Sequence, residues 1–423
     1  MTSIEDLDER HFDVVVIGAG VAGSMCGLLA ARAGLSTLLL DRQKFPRHKV
    51  CGCCLNGRAV QMLRKNGLES SLHSLLPKST NSLAVRYRGR KLDIPMPPNV
   101  AVSRFALDQQ LVFEAVSSGC LFIDDVTAAV SPLPGDSEPS DARACRLSAS
   151  GQPPERIVDL RLSGKSVREA AGVTGRGREV DSRRVFAKVV LVCDGPGHPS
   201  LYRLSGFRAS AASGSRIGLG AVFPRASADD WIKPGEILMA VAQHGYAGVV
   251  EIEGQQWDLA AAIDPLHLNQ TKSPLLSLEQ LFQSAGVPVP AELVHATIKG
   301  TLPLTRTAER IAGHRLFLLG DATGYVEPFT GEGMAWALTA ANAIVPLVIQ
   351  AVRYDWSNEL VTRWHSVFRA IVSREQKLCR VLSAALKHPW ILPPVLTMCH
   401  LFPSLTRHLV SQINRVPEAL EIP

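Results

Sequence analysis

Residues 45–57 read FPRHKVCGCCLNG and place Cys51, Cys53 and Cys54 within four positions, beside Lys49 and Gly52. Thiols this close suit four kinds of chemistry: a metal site, a disulfide, thiol redox catalysis, or a tight loop around a cofactor. Zinc needs about four ligands in a closed set, and no second CxxC or HxxxH lies nearby, so no metal is expected. A disulfide between such near neighbours is strained. Gly52 offers bare backbone that a cofactor can approach. Cys51, next to Lys49, reads as a thiol of depressed pKa, acid or nucleophile, or as a small apolar residue that fills space. Cys53 and Cys54 read as space-filling.

A cofactor-holding segment lies just before. Residues 13–41 read DVVVIGAGVAGSMCGLLAARAGLSTLLLD. Residues 14–17 are β-branched and apolar without alternation, the pattern of a buried parallel strand. Gly18, Gly20 and Gly23 follow as GxGxxG. The first permits a tight turn, the second lets backbone approach a pyrophosphate, and the third lets helix and strand pack closely. The pyrophosphate then sits on a helix N-terminus, where free N–H groups favour negative charge. Residues 37–40 form a second apolar strand ending in Asp41, at about the 20-residue spacing at which an acid receives ribose hydroxyls. An acid there disfavours a 2′-phosphate. Residues 14–31 carry no charge, but their glycines and their change of character fit strand, turn and helix better than a membrane span.

Two further strand ends carry Asp beside Gly. Residues 315–348 open with an apolar strand that ends in Gly320-Asp321. They pass Pro328, Gly331 and Gly333 and enter an Ala-rich helix. Residues 189–203 hold another apolar strand, ending in Asp194-Gly195. Each Asp can take a sugar hydroxyl, and glycines at a helix start again offer bare N–H groups.

Together these pieces resemble the FAD-dependent oxidoreductases of the aromatic-hydroxylase and geranylgeranyl-reductase superfamily, over roughly residues 12–350. SRFALDQQL, residues 103–111, matches a further element of that family, Arg-x-x-Leu/Phe-Asp, which implies that Arg104 lies near the FAD diphosphate. FPRHKVCGCCL fits the family's FPRxKxCGxxL loop, and the resemblance puts that loop against the isoalloxazine. The cofactor contacts it implies are Gly18, Gly20, Ala22, Gly23, Asp41 and Arg42 in the first unit. Lys49, Cys51, Gly52, Arg104 and Val126 follow. Asp194, Gly195, Gly320, Asp321, Pro328, Gly331, Gly333 and Met334 complete the set. FAD is expected to bind non-covalently, with NAD(P)H as a transient reductant, because no second strand–glycine unit appears. GVTGRG, residues 172–177, has no buried strand before it.

The implied fold is α/β (α+β): a Rossmann-like FAD-binding domain interleaved with an antiparallel-sheet substrate domain, then a helical C-terminal tail. The FAD domain is expected over 1–80, 100–205 and 300–350, the substrate domain over 81–99 and 206–299, and the tail over 351–423. Within these, residues 122–130 read as one strand and 131–184 as long Pro/Gly/Ser-rich loops. Residues 215–300 alternate in the manner of an antiparallel sheet with one buried face.

The bulk numbers agree with such a protein. The 423 residues suit two interlocked domains, and 46% apolar with 20% charged residues is an ordinary globular balance. A net charge of +6 is spread along the chain, so no nucleic-acid partner is expected. Nine irregularly spaced cysteines behind an acidic N-terminus, MTSIEDLDER, point to a reducing cytoplasmic compartment. The tail is basic and apolar, and prolines cut residues 389–415 into short helices. That composition allows peripheral contact with the cytoplasmic face of a membrane.

Three functions remain open at this point. One is an NAD(P)H-dependent monooxygenase that hydroxylates a lipophilic or aromatic small molecule. Another is a reductase of C=C bonds in a prenyl or other lipid chain. The third is a flavin-binding redox sensor without turnover. The cysteine loop favours the reductase. The hydroxylase is favoured by Tyr246-Ala-Gly-Val-Val standing where geranylgeranyl reductases carry Tyr-x-Trp-x-Phe-Pro, and the sequence inclines slightly that way. Cys51 is the one weak catalytic candidate.

Overall fold

The apolar run at residues 14–17 becomes the buried half of β1 (Arg10–Ile17). The computed structural model describes residues 4–133, 136, 155–163, 182–226, 231–327 and 331–373, with Gln376, Cys379, Pro394 and Thr397 beyond them. β1 pairs in parallel with β2 (Thr37–Leu40) on one side and β9 (Arg183–Val192) on the other. β6 (Leu121–Ile123) extends the sheet past β2, and β18 (Leu316–Leu318) extends it past β9, both in parallel. β17 (Ala312–Gly313) closes that edge antiparallel to β18. The parallel order β6-β2-β1-β9-β18 is the doubly wound dinucleotide-binding arrangement. α1 (Val21–Arg32) leaves β1 through the glycine turn. It packs against α4 (Arg104–Ser117) and the long α7 (Gly333–Arg353).

Residues 122–130 are two strands rather than one. Asp125 takes a left-handed φ of 58°, and the Asp124 carboxylate accepts the Phe45 N–H at 2.6 Å, which breaks the run. β7 (Val126–Val130) then turns away and pairs antiparallel with β8 (Arg156–Leu162), which pairs with β9. β8 lies inside the interval expected to be loop. Its alternating burial comes from residues set between Pro/Gly-rich neighbours, and Arg156 is anchored by two 2.7 Å bonds to Asp136. The stretches around it, GVTGRG included, lie largely outside the described residues.

The second sheet runs β15-β11-β14-β13-β12-β4-β5-β3, with β3 (Cys54–Leu55), β4 (Lys78–Tyr87), β5 (Arg90–Ala101), β11 (Ile217–Pro224), β12 (Glu236–Ala242), β13 (Gly245–Ile252), β14 (Gln256–Ile263) and β15 (Lys299–Pro303). It is antiparallel except at β12–β4, which run parallel. α5 (Pro265–Thr271) and α6 (Pro274–Ala285) follow β14, and α6 packs over β12 to bury Phe282 and Trp257. Tyr87, Met239, Val241 and Tyr246 form a separate apolar cluster in this sheet. α2 (Gly57–Lys65) and α3 (Glu69–Ser74) lie between β3 and β4. A small third sheet, β10 (Ala209–Ala211), β16 (Arg306–Ala308) and β19 (Gly324–Tyr325), sits beside these two.

Residues 14–31 are strand, turn and helix. Among the described residues α7 alone is long and apolar enough to cross a membrane, with a mean hydropathy of 1.7, and 67% of that stretch is buried inside the protein. α8 (Glu359–Phe368) continues the helical C-terminal region into a π-helical turn, Arg369–Ser373. Residues 389–415, read as short membrane-facing helices, lie outside the described residues apart from Pro394 and Thr397.

Candidate cofactor and substrate site

The glycine turn is fixed by the fold itself. Gly18 holds φ +100°, and a Cβ there would sit 2.4 Å from the Cys193 carbonyl oxygen. A Cβ on Gly23 would meet the Gly18 carbonyl at 1.8 Å. Gly20 differs: it caps α1 without a side-chain bond, and the nearest atoms to a Cβ there are Arg104 Nη2 at 3.5 Å and Arg47 Nη2 at 3.7 Å. Two guanidinium groups thus flank the N-terminus of α1, an arrangement suited to a diphosphate. Asp108 fixes both, accepting from Arg104 Nε and Nη2 at 2.8 and 2.7 Å and from Arg47 Nη1 at 3.0 Å.

Asp41 ends β2 and is buried. Its carboxylate accepts the Ala19 and Gln43 N–H groups at 2.9 Å each and lies 3.4 Å from Arg47 Nη2. Ala22 is buried, close under Gly320. Arg42 is exposed, and its carbonyl accepts from Ser163 Oγ. Val126 is buried, and its N–H is already donated to the Asp41 carbonyl at 2.9 Å. Met334 is buried in the first turn of α7.

The strand-end acids stand ready for polar ligands. Asp194 accepts the Ser200 N–H at 2.8 Å, but its Oδ1 is buried without a partner, and burial raises the carboxyl's pKa. Gly195 follows in a left-handed turn at φ 92°. Asp321 lies in a short 3-10 turn, Gly320–Thr323, and accepts from Lys49 Nζ at 3.0 Å. Gly331 brings the loop before α7 onto the cysteine loop: a Cβ there would lie 3.6 Å from Cys54 Cβ. Pro328 lies outside the described residues.

The cysteine loop runs into the edge of the second sheet, where Cys54 pairs with Ala101 through β3. All seven described cysteines are free. The Cys51 thiol is lowered to about 5, first by a hydrogen bond from Cys53 and then by the Arg104 and Lys49 cations, against the cost of burial. The same hydrogen bond and burial push Cys53 up. Burial, with Asp258 and Cys51 nearby, raises Cys54. Asp258, from β14, is buried, and burial, then Cys51, pushes its carboxyl well above the usual carboxylate range. The Tyr325 hydroxyl is kept protonated by burial, then by Asp321, Cys51 and Glu327.

Gly52 and Gly333 carry a different message from Gly18 and Gly23. A Cβ on either would meet nothing in the protein within 4 Å. The fold does not demand glycine there, whereas a group lying against bare backbone would. With the cradle at Gly20, the orphaned Asp194 oxygen and Lys49–Asp321, the residues present fit FAD.

The structure therefore gathers Gly20, Arg104, Lys49, Cys51, Asp321 and Gly331 around neighbouring loops. It also supplies groups not singled out in the sequence. Arg47 was legible as a member of the FPRxKxCG loop, and Asp108 as the Asp of Arg-x-x-Leu/Phe-Asp. Tyr325, Asp258 and the buried pair Arg216–Glu327, 2.9 Å apart, had no local signal.

Residues 11–139 match the FAD binding domain family. The chain is 26% identical over 398 residues to a menaquinone reductase of Mycolicibacterium smegmatis, covering 89% of this chain and 85% of the relative. It is 24% identical over 388 residues to digeranylgeranylglycerophospholipid reductase 1 of Methanopyrus kandleri, covering 85% and 87%. A flavin-dependent brominase superposes with a TM-score of 0.68 at 18% identity, covering 96% of this chain and 94% of that one. A probable FAD-dependent monooxygenase of Pseudomonas aeruginosa does so at 0.64 and 16%, covering 89% and 97%. The structural neighbours share the doubly wound fold; with the FAD binding domain match and the two full-length reductase relatives, the chain is an enzyme of the FAD-dependent oxidoreductase superfamily.

Proposed function

We propose that the protein is an NAD(P)H-dependent reductase that saturates C=C bonds in the isoprenoid chain of a lipophilic substrate, working in the cytoplasm at a membrane surface. The observation that carries this reading is Cys51. Its loop, FPRHKVCGCCL, has the reductase pattern, and its thiolate is held between Arg104 and Lys49. Similarity to two reductases along most of the chain supports it, one named for menaquinone and one for a geranylgeranyl lipid. The structural neighbours, all below 25% identity, speak only for the fold.

FAD held in this site would supply hydride chemistry between NAD(P)H and the alkene. The chain's own residues do the rest. The N-terminus of α1 with Arg47 and Arg104 would hold the diphosphate, and Asp41 and Asp194 would take the sugar and ribityl hydroxyls. Lys49 and Asp321 tie the loops on either side of the cofactor. Reducing an alkene needs one proton besides the hydride, and the Tyr325 hydroxyl, protonated through the neutral range beside Cys51, can hold it. Apolar side chains of the second sheet exclude water.

A second reading, hydroxylation, rests on one observation. Tyr246 occupies the place of the aromatic–proline motif, and its buried hydroxyl lies near the Glu327 charge, so this wall is more polar than a prenyl chain needs. Purified yellow protein, NAD(P)H and polyprenyl lipids, run with and without air, separate the two readings. A gain of two hydrogens that persists without air supports reduction. A gain of one oxygen that needs air replaces it with hydroxylation. Substantial NAD(P)H turnover removes a sensor without catalysis.

A further inference from the structure

Cys51 and Cys53 form a pair whose parts come from three places in the fold. They stand either side of Gly52, whose backbone is free of tertiary contact at its Cβ position. Cys53 takes a left-handed φ of 52°, and its carbonyl accepts the Val102 N–H at 3.0 Å, which pins it against β5. Cys53 is buried with Ala101, Val250 and Ile252, and Cys51 and Cys54 pack against that cluster. With one residue between them and both side chains packed on the same cluster, the two sulfurs are near neighbours, and each shifts the other's pKa, Cys51 down and Cys53 up. Arg104, from α4, sets its guanidinium charge beside Cys51. Asp258, from β14, faces Cys53, is 5% exposed, and has its Oδ2 buried without a hydrogen-bond partner. A buried carboxyl with a free oxygen beside a thiol is costly unless it moves a proton.

We infer that Cys51 and Cys53 are a peroxide-reactive modification site that closes reversibly into a disulfide, with Cys51 as the attacking sulfur and Cys53 as the resolving one. The oxidant is hydrogen peroxide, which reduced flavoenzymes release when they meet oxygen. The Cys51 thiolate attacks one peroxide oxygen, the O–O bond breaks, and a proton from Asp258 lets the leaving hydroxide depart as water. Cys51 is then a sulfenic acid. The Cys53 sulfur attacks it, the S–S bond forms, and the hydroxyl leaves as a second water with the Cys53 proton. Overall, one thiolate, one thiol, one peroxide and one proton give one disulfide and two waters. The strain of a bridge across one residue makes it easily reduced, which suits a reversible state rather than a structural one. Closure removes the negative charge that Lys49 and Arg104 hold beside the cofactor loops. The inference stands on the thiols and does not depend on which substrate the enzyme reduces.

The test uses the FAD-loaded enzyme, treated with hydrogen peroxide, unfolded, capped with N-ethylmaleimide and digested with trypsin. The peptide of residues 50–58 carries Cys51, Cys53 and Cys54. The expected product has lost two hydrogens and taken one maleimide, on Cys54, and dithiothreitol restores all three sites. Cys51 should react at least about tenfold faster than buried Cys120, whose thiol is raised to about 12. Three maleimides after peroxide, or a bridge that uses Cys54, overturns the inference. In Cys53→Ser, Cys51 should run on to sulfinic acid that dithiothreitol does not recover; full recovery in that variant also overturns it. The wild-type measurement stands even if the variant folds poorly.

Discussion

Lys49 Nζ lies 3.0 Å from Asp321 Oδ2 and joins two loops that the sequence separates by 272 residues. One loop follows the second strand of the parallel sheet and carries the cysteines. The other follows its last strand and leads into α7. The bridge holds the two sides of the cofactor site at a fixed distance and sets a cation beside Cys51.

Lys49→Ala should loosen that clamp without unfolding the protein. The pair is partly exposed, with Lys49 at 35%, so about 1 kcal/mol is at stake, equivalent to about a fivefold loss of FAD affinity. Titrating the apoprotein with FAD by fluorescence quenching reads this. Unchanged affinity would mean that the bridge is only a surface contact.

The glycines should divide into two groups. Gly23→Ala drives a methyl into the Gly18 carbonyl and should cost about 1–3 kcal/mol of stability, visible as a lower melting temperature of the apoprotein. Gly52→Ala and Gly333→Ala meet no protein atom and should leave that melting temperature in place while lowering bound FAD. If both kinds melt alike and bind flavin alike, the open glycines do not face the cofactor.

Cys51 should stay reactive in mild acid. An ordinary thiol is mostly protonated below 9, whereas this one is lowered to about 5. The thiolate is the charged form, so lowering the pKa extends reactivity downward. Iodoacetamide labelling of Cys51 should hold steady from neutrality and fall to half near 5. A profile that halves near 9 would remove the thiolate from the site.

The buried pair Arg216–Glu327 ties the start of β11 to the loop after β19. With side chains 5% and 1% exposed, removing one partner leaves an uncompensated charge. Arg216→Met should therefore cost about 3–5 kcal/mol in chemical denaturation. A loss below about 1 kcal/mol would show that the neighbouring Tyr246 hydroxyl suffices for Glu327.

The parallel sheet was legible because each of its long strands is a short apolar run closed by glycine or acid: residues 14–17 before Gly18, 37–40 before Asp41, 189–193 before Asp194. Local chemistry decides such places, and a single chain records it. β8 was not legible, because Arg156–Leu162 sits among breaker-rich neighbours and gains its alternation only once β7 and β9 flank it. The split at Asp124–Asp125 was hidden for a similar reason, since it needs the Phe45 N–H from another loop. Within the site, Gly20, Arg104 and Asp321 follow from motif and spacing. Asp258, Tyr325 and Glu327 do not. Asp258 and Tyr325 come to Cys51, and Glu327 to Arg216 and Tyr325, from far along the chain, and nothing near them in sequence marks these neighbours.

The most direct measurement of the proposed reaction runs the enzyme without air in heavy water, with NAD(P)H and a polyprenyl quinone or lipid, and weighs the product. Alkene reduction requires a product that gains two hydrogens and no oxygen, at least one of them a carbon-bound deuteron from the solvent. Products that form only in air and carry one added oxygen would contradict it and identify the enzyme as a monooxygenase.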